Sequence, residues 1–100
     1  MLTRENIIAI LRKESAQLKT EFGVGKIALF GSFAGNTQTE NSDVDIVIEL
    51  ERPLGFKFFD LVDHLEKLLG RKIDVLTRDA LKTLRVKEVA AAIEESLLYV

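Results

Sequence analysis

The stretch that most restricts the fold runs from Asp43 to Glu51. Val44, Ile46, Ile48 and Leu50 are apolar, while Asp43, Asp45, Val47 and Glu49, mostly acidic, take the alternate positions. Side chains on a strand alternate between faces. This period of two therefore predicts a β-strand with one face on a core and the other open. Such a strand needs other elements to cover its apolar side.

Those elements are legible on both sides of it. Ile7, Ile8, Leu11, Ser15, Leu18 and Phe22 follow helical 3-4 spacing, so Thr3 to Phe22 reads as an amphipathic helix. Thr3 can cap its start, and Gly23 and Gly25 stop it. Lys26 to Phe30 is a short apolar run between glycines, a buried strand. Residues 32–35 read as a turn and 36–42 as a polar loop. After the turn Arg52-Pro53-Leu54-Gly55, a second helix runs from Phe56 to Leu69, with Phe58, Leu61, Val62, Leu65, Leu68 and Leu69 on its stripe and Gly70 as its stop. Arg71 to Leu76 is a third short strand. Thr77 can cap a short helix through Leu84, and a last helix from Val86 carries Val89, Ala90, Ile93 and Leu97.

The order α-β-β-α-β-α-α, on 100 residues, predicts one α/β (α+β) domain over 1–100. It is a two-layer sandwich, a small mixed sheet of about three strands packed on one face by helices. Net charge is −2 with mixed signs, which argues against an extended nucleic-acid-binding face but leaves a nucleotide open as a small ligand. Without cysteine there is neither a disulfide nor a thiolate metal site. The charged start, MLTRENIIAILRKES, does not read as a signal peptide, and no stretch reaches the 18 or so apolar residues of a membrane span. The expectation is a soluble cytoplasmic protein.

Asp43 and Asp45 project from the same side of their strand, with Cα atoms roughly 6.5–7 Å apart. Two ionised carboxylates that close repel one another, and without a cation at least one pKa rises. A divalent ion such as Mg²⁺, which takes hard oxygen ligands, removes the conflict. Asp74 interrupts an apolar run, and if its strand pairs beside Asp43–Glu51 it joins the same face. A third acid there suits one or two metals, or a base for an attacking hydroxyl. The plainer alternatives are acids sitting in water at a strand start, and an Asp74 paired with Arg71, Lys72 or Arg78. Gly31-Ser32, between a strand and a helical start, can present backbone N–H groups and a hydroxyl to phosphate oxygens. A tight turn would look the same. Taken together, a phosphate turn and paired carboxylates make a Mg²⁺–triphosphate site suited to phosphoryl or nucleotidyl transfer.

Gly31-Ser32, ten residues, then Asp43-Val44-Asp45 resembles the GS-x10-DxD signature of the DNA polymerase β-like nucleotidyltransferase superfamily, in particular its minimal nucleotidyltransferases. The likeness covers nearly the whole chain, through "LFGSFA", "SDVDIVIEL" and "GRKIDVLT". It implies that Asp43, Asp45 and Asp74 are the metal-binding and catalytic carboxylates, Asp74 the base. It also implies that Gly31 and Ser32 hold the nucleoside triphosphate. Members are commonly paired with a helical HEPN-domain protein, often a toxin ribonuclease, and some neutralise it by moving AMP from ATP to a tyrosine. The family usually reads Gly-Ser-x-Ala-Arg-Gly, whereas here Gly35 and Asn36 fill the last two places. Asn tolerates positive φ, so the turn is expected to survive. The absent arginine removes a positive charge near the phosphates and bears on activity rather than fold.

The expected function is thus Mg²⁺-dependent AMP (or other NMP) transfer to a hydroxyl, with a HEPN toxin as partner. The alternatives are a nucleotidyltransferase-fold module that neutralises its partner by binding alone, and transfer to a small molecule or an RNA end. His64 reads as a solvated surface residue, and Phe56, Phe58 and Phe59 as core and helix-entry packing. The apolar end, Leu97 to Val100, is open to docking on a partner or a second copy, or to packing on its own core.

Overall fold

The computed structural model describes residues 2–83, 91, 93 and 97–100. Helix α1 (Arg4–Phe22) opens on a capping box. The Asn6 amide donates to Thr3 Oγ1 at 3.1 Å while Asn6 Oδ1 accepts from the Thr3 amide at 3.4 Å. Gly23, at φ 69°, closes the helix by donating to the Lys19 carbonyl at 2.9 Å. Ile7, Leu11, Leu18 and Phe22 are buried and Ile8 is half-buried, but Ser15 is exposed, so the stripe is narrower than its spacing predicted. Gly25 does not end the helix. It lies in strand β1 (Val24–Phe30), where the register with the next strand slips between Val24 and Lys26.

The single-turn helix α2 (Gly31–Ala34) follows β1 directly, and strand β2 (Val44–Leu50) pairs antiparallel with β1. Helix α3 (Lys57–Leu69) buries Leu61, Leu65 and Leu69 and ends at Gly70, φ 65°. It carries the chain over to strand β3 (Ile73–Thr77), which pairs parallel with β2, a connection that needs a crossover element. Thr77 Oγ1 then accepts from the Ala80 amide at 3.0 Å and starts the short helix α4 (Arg78–Lys82).

A fourth strand, β4 (Leu98–Tyr99), completes a sheet in the order β3-β2-β1-β4 and corrects the expected three. Its apolar residues turn to the chain's own core. Leu98 pairs with Leu29, the Val100 amide donates to the Ile27 carbonyl at 2.9 Å, and both side chains pack against the core cluster. Of the closing helix expected from Val86, residues Val86, Val89 and Ala90 lie outside the described residues, as does Leu84. Ile93 is helical and Leu97 is not.

The main core lies between α1, α3 and one face of the sheet, with Ile27, Leu29, Val44, Ile46, Ile48 and Ile73 supplying the sheet side. The opposite face is less open than alternation predicted. Val47 and Ala28 are 4% and 1% exposed. Helix α4 packs against β2 and β3 and buries Leu81 completely, covering part of that face. Among the phenylalanines of α3, only Phe58 packs on the core. Phe56 and Phe59, expected as core and helix-entry packing, are 90% and 69% exposed. His64 is half-buried rather than solvated. Its ring stands 5.8 Å from that of Phe22, and its Nε2 is buried with no hydrogen-bond partner. Among the described residues no helix is long and apolar enough to cross a membrane.

Candidate active site

The end of β1, the start of β2 and the start of β3 meet at one rim of the sheet. Asp45, the second residue of β2, stands opposite Phe30 in the antiparallel pairing and opposite Asp74 in the parallel one. Neighbouring strands lie about 4.8 Å apart, so register alone puts Asp45 and Asp74 side by side on the same face. Asp43 precedes β2. Asp45 is half-buried and Asp74 exposed.

This crowding changes the chemistry of Asp45. Its pKa rises from 3.8 to about 6, first because burial penalises the charged form. The charge of Asp74, a side-chain hydrogen bond with Asp74 and the charge of Asp43 push it the same way. Two carboxylates can hydrogen-bond only if one holds a proton, and the raised pKa makes Asp45 the one that keeps it. The structure thus brings together the acids that the sequence singled out. Asp74 stands beside Asp45. Arg71, one of the expected partners for Asp74, donates elsewhere, to the carbonyls of Ser42 at 2.8 Å, Glu40 at 2.9 Å and Thr39 at 3.4 Å.

Gly31 and Ser32 open α2 against this pair. Gly31 has φ +71°, and a Cβ built on it would collide with the Asp45 carboxylate oxygen Oδ2. Glycine is therefore required twice here, for its backbone and for the closeness of the acid. The first turn of α2 has no side-chain cap, which leaves its amides to other acceptors. Phe33, fully buried, anchors the turn, and its burial contributes roughly 3 kcal/mol. Beyond it the Gly35 amide donates to the Gly31 carbonyl at 3.1 Å and the Thr37 amide to the Ser32 carbonyl at 2.8 Å. Asn36 takes φ 58°, the left-handed conformation expected of it, while Gly35, at φ −82°, occupies a conformation open to any residue.

Sequence reasoning missed Arg71 as a site residue. Its guanidinium lies 5.6 Å from the Phe33 ring centroid while it holds three carbonyls of the loop that leads into Asp43. One side chain thus links α2, that loop and the approach to β3. Nothing in the local pattern around Gly70-Arg71 signals it. Arg4 was likewise unassigned, and its Nη1 donates to the Ala34 carbonyl at 3.1 Å, at the end of α2.

Among the described residues no three acidic or imidazole groups are gathered as a ready-made metal cage. The donors converge instead as the Asp45–Asp74 pair, with Asp43 close enough to act on Asp45 by charge. Hard oxygen donors in mutual repulsion fit a hard divalent cation such as Mg²⁺.

Known proteins resemble this chain over nearly its whole length. Residues 11–100 match the model of the nucleotidyltransferase domain family. A Methanocaldococcus jannaschii protein with the provisional name protein adenylyltransferase is 46% identical over 101 residues, covering 100% of both chains. The protein adenylyltransferase MntA of Thermococcus cleftensis is 40% identical over 84 residues, covering 83% of this chain and 85% of its own. Among solved structures, one provisionally described as a minimal nucleotidyltransferase superposes with a TM-score of 0.73 at 24% identity, over 97% of this chain and 95% of that one. A toxin–antitoxin crystal structure with AMP-PNP superposes with a TM-score of 0.64 at 23% identity, over 98% of this chain and 72% of that one. The chain belongs to the nucleotidyltransferase domain family.

Proposed function

We propose that this nucleotidyltransferase moves AMP from ATP to a hydroxyl of a partner protein, a tyrosine of a HEPN-domain toxin, and so acts as an antitoxin. The observation that carries the reading is the Asp45–Asp74 pair set directly against the Gly31 turn. The relatives named protein adenylyltransferase support the reaction class, and the toxin–antitoxin structures of like fold support the kind of partner.

In this reading the amides and hydroxyl of Gly31-Ser32 hold the triphosphate oxygens. Asp74, the more exposed acid, accepts the proton of the acceptor hydroxyl as its oxygen attacks the α-phosphorus. One P–O bond forms, the bond to the β-phosphate bridging oxygen breaks, and pyrophosphate leaves. Asp43, Asp45 and Asp74 would hold Mg²⁺, as one or two ions, and when bound it supplies neutralisation of the phosphate and carboxylate charges. With ATP as donor, the reaction is placed in the cytoplasm.

The test is to incubate the chain with a HEPN partner, ATP and Mg²⁺ and weigh the partner. One added adenylyl group with the wild type, and none with Asp43→Asn, supports the reading. No adduct with either, together with equal neutralisation of the partner, overturns it. Gly35 in the arginine position favours a second reading, neutralisation by contact alone. An Asp43→Asn/Asp45→Asn chain that still neutralises the partner would establish that reading instead.

A further inference from the structure

Helix α2 has four carbonyls, and three of them are met by amides that follow closely in the chain. Gly31 accepts from the Gly35 amide at 3.1 Å, Ser32 from the Thr37 amide at 2.8 Å and Phe33 from the Asn36 amide at 3.2 Å. The fourth, the Ala34 carbonyl, accepts from Arg4 Nη1 at 3.1 Å, across 30 residues of chain. No residue from Phe30 to Thr37 is basic, so the turn has no cation of its own to offer there. The bond is partly buried, and a carbonyl left unmet in such a place is costly.

Arg4 is poorly placed for its own helix. It is the first residue of α1, where the partial positive charge of a helix start disfavours a cation. Glu5, 3.6 Å from Nη2, offsets little of this, because it is 70% exposed. A residue that breaks a local rule answers a demand from elsewhere in the fold, and Nη1 shows where that demand lies.

The position of α2 also matters closely. A Cβ on Gly31 would collide with Asp45 Oδ2, so the backbone of the turn and the acid are already in near contact. Phe33, fully buried, holds the middle of the turn, and Arg4 holds its far end. Arg71 acts elsewhere, over the Phe33 ring and along the loop ahead of Asp43.

We propose that Arg4 is a positioning residue for nucleotide binding: by holding the Ala34 carbonyl it fixes the Gly31-Ser32 donors relative to the Asp45 carboxylate. The inference rests on the reading of Gly31-Ser32 as the triphosphate turn. A triphosphate has to fit between that turn and the carboxylate rim, so a shift of about an ångström in α2 weakens its binding. Arg4 acts through the backbone of α2 and needs no contact with the nucleotide.

The test uses the full chain with ATP and Mg²⁺ and no acceptor protein. In calorimetric titrations well below the unfolding temperature, Arg4→Ala is expected to weaken ATP binding about five- to tenfold. Arg4→Lys keeps the charge but not the planar fork of donors, and should recover part of that loss. Arg12→Ala, which removes an exposed arginine from the same helix, should leave the Kd unchanged. Without nucleotide, hydrogen exchange at the Gly35 and Thr37 amides of Arg4→Ala should speed up by more than its loss of global stability accounts for. A wild-type Kd in Arg4→Ala, or a weakened Kd with no such change in exchange, would overturn the proposal. So would an equal loss of affinity in Arg12→Ala, the mark of a general charge effect. A wild-type chain that binds no ATP would instead overturn the proposed function, and this role of Arg4 with it, whatever the exchange at those amides.

Discussion

The carboxylate of Asp45 occupies the space that a side chain on residue 31 would fill. A turn at the end of one strand and an acid at the start of the next are thus fitted to each other across the β1–β2 pairing.

Gly31→Ala should therefore cost both stability and activity. The left-handed backbone costs an alanine on the order of 1–2 kcal/mol, and the methyl also displaces Asp45. Thermal unfolding is expected to fall by several degrees. Partner modification, assayed well below the new midpoint, is expected to drop at least tenfold. An activity loss no larger than the lost folded fraction would show that the contact between the two residues does not matter.

Asp45 gives stability a defined pH dependence. Its pKa is 3.8 in the unfolded reference and about 6 in the folded chain. Between these values the folded chain holds a proton that the unfolded chain has released. Its contribution is thus greatest below 3.8 and is lost as pH rises through about 6. Asp45→Asn removes the charge, and after allowance for solvent screening it should stabilise by on the order of 1 kcal/mol at pH 8. Denaturant unfolding at pH 8 and pH 4.5 checks this, and an equal effect at both would refute it.

Mg²⁺ should relieve the same repulsion. At pH 7.5 and ten times its Kd the ion would stabilise by about 1.4 kcal/mol, a rise of roughly 5 °C or more in Tm for a chain of this size. Asp45→Asn and Asp74→Asn should abolish the shift. A wild-type chain with no shift at millimolar Mg²⁺ would count against the ion.

Gly35→Arg should be tolerated and should tighten nucleotide binding. Gly35 has φ −82°, and an added Cβ meets only the Gly31 carbonyl oxygen at 3.7 Å, Thr37 Oγ1 at 3.9 Å and the Ser32 carbonyl oxygen at 4.0 Å. Stability is expected to hold or to rise by about 0.5 kcal/mol through the stiffer unfolded chain. The KM for ATP is expected to fall several-fold, and an unchanged KM would place position 35 away from the phosphates.

Arg71→Ala should loosen the loop ahead of Asp43. Losing its carbonyl contacts and its place over Phe33 should cost about 1–3 kcal/mol. Hydrogen exchange at residues 39–43 should speed up, while that of Ile7 to Leu18 follows global stability alone. Arg71→Lys retains the charge but not the fork of donors, and should restore only part of the protection. Uniform acceleration across the chain would show a general loss of stability instead.

Much of the fold was legible in short windows. The period of two gave β2, helical spacing gave α1 and α3, and Thr3, Gly23, Gly70 and Thr77 marked helix ends through their own backbone chemistry. Local pattern misled where burial depends on distant elements. Val47 was read as facing water, yet α4 helps close that face. Phe56 and Phe59 were read as core and helix-entry packing, yet both stand exposed. Val100 and Leu98 left three options open, and pairing with β1 selected one.

By itself, the sequence determined which face each strand turns to the core, where the helices end, and which residue types could carry the chemistry. The tertiary structure decided that Asp45 lies opposite Asp74, that Gly31 yields its side-chain space to Asp45, and that Arg71 holds the loop between them. The reason is that alternation fixes a face but not a register. Sliding one strand past another by two residues keeps every side chain on its own face, so the choice among such registers falls to the packing of the whole chain.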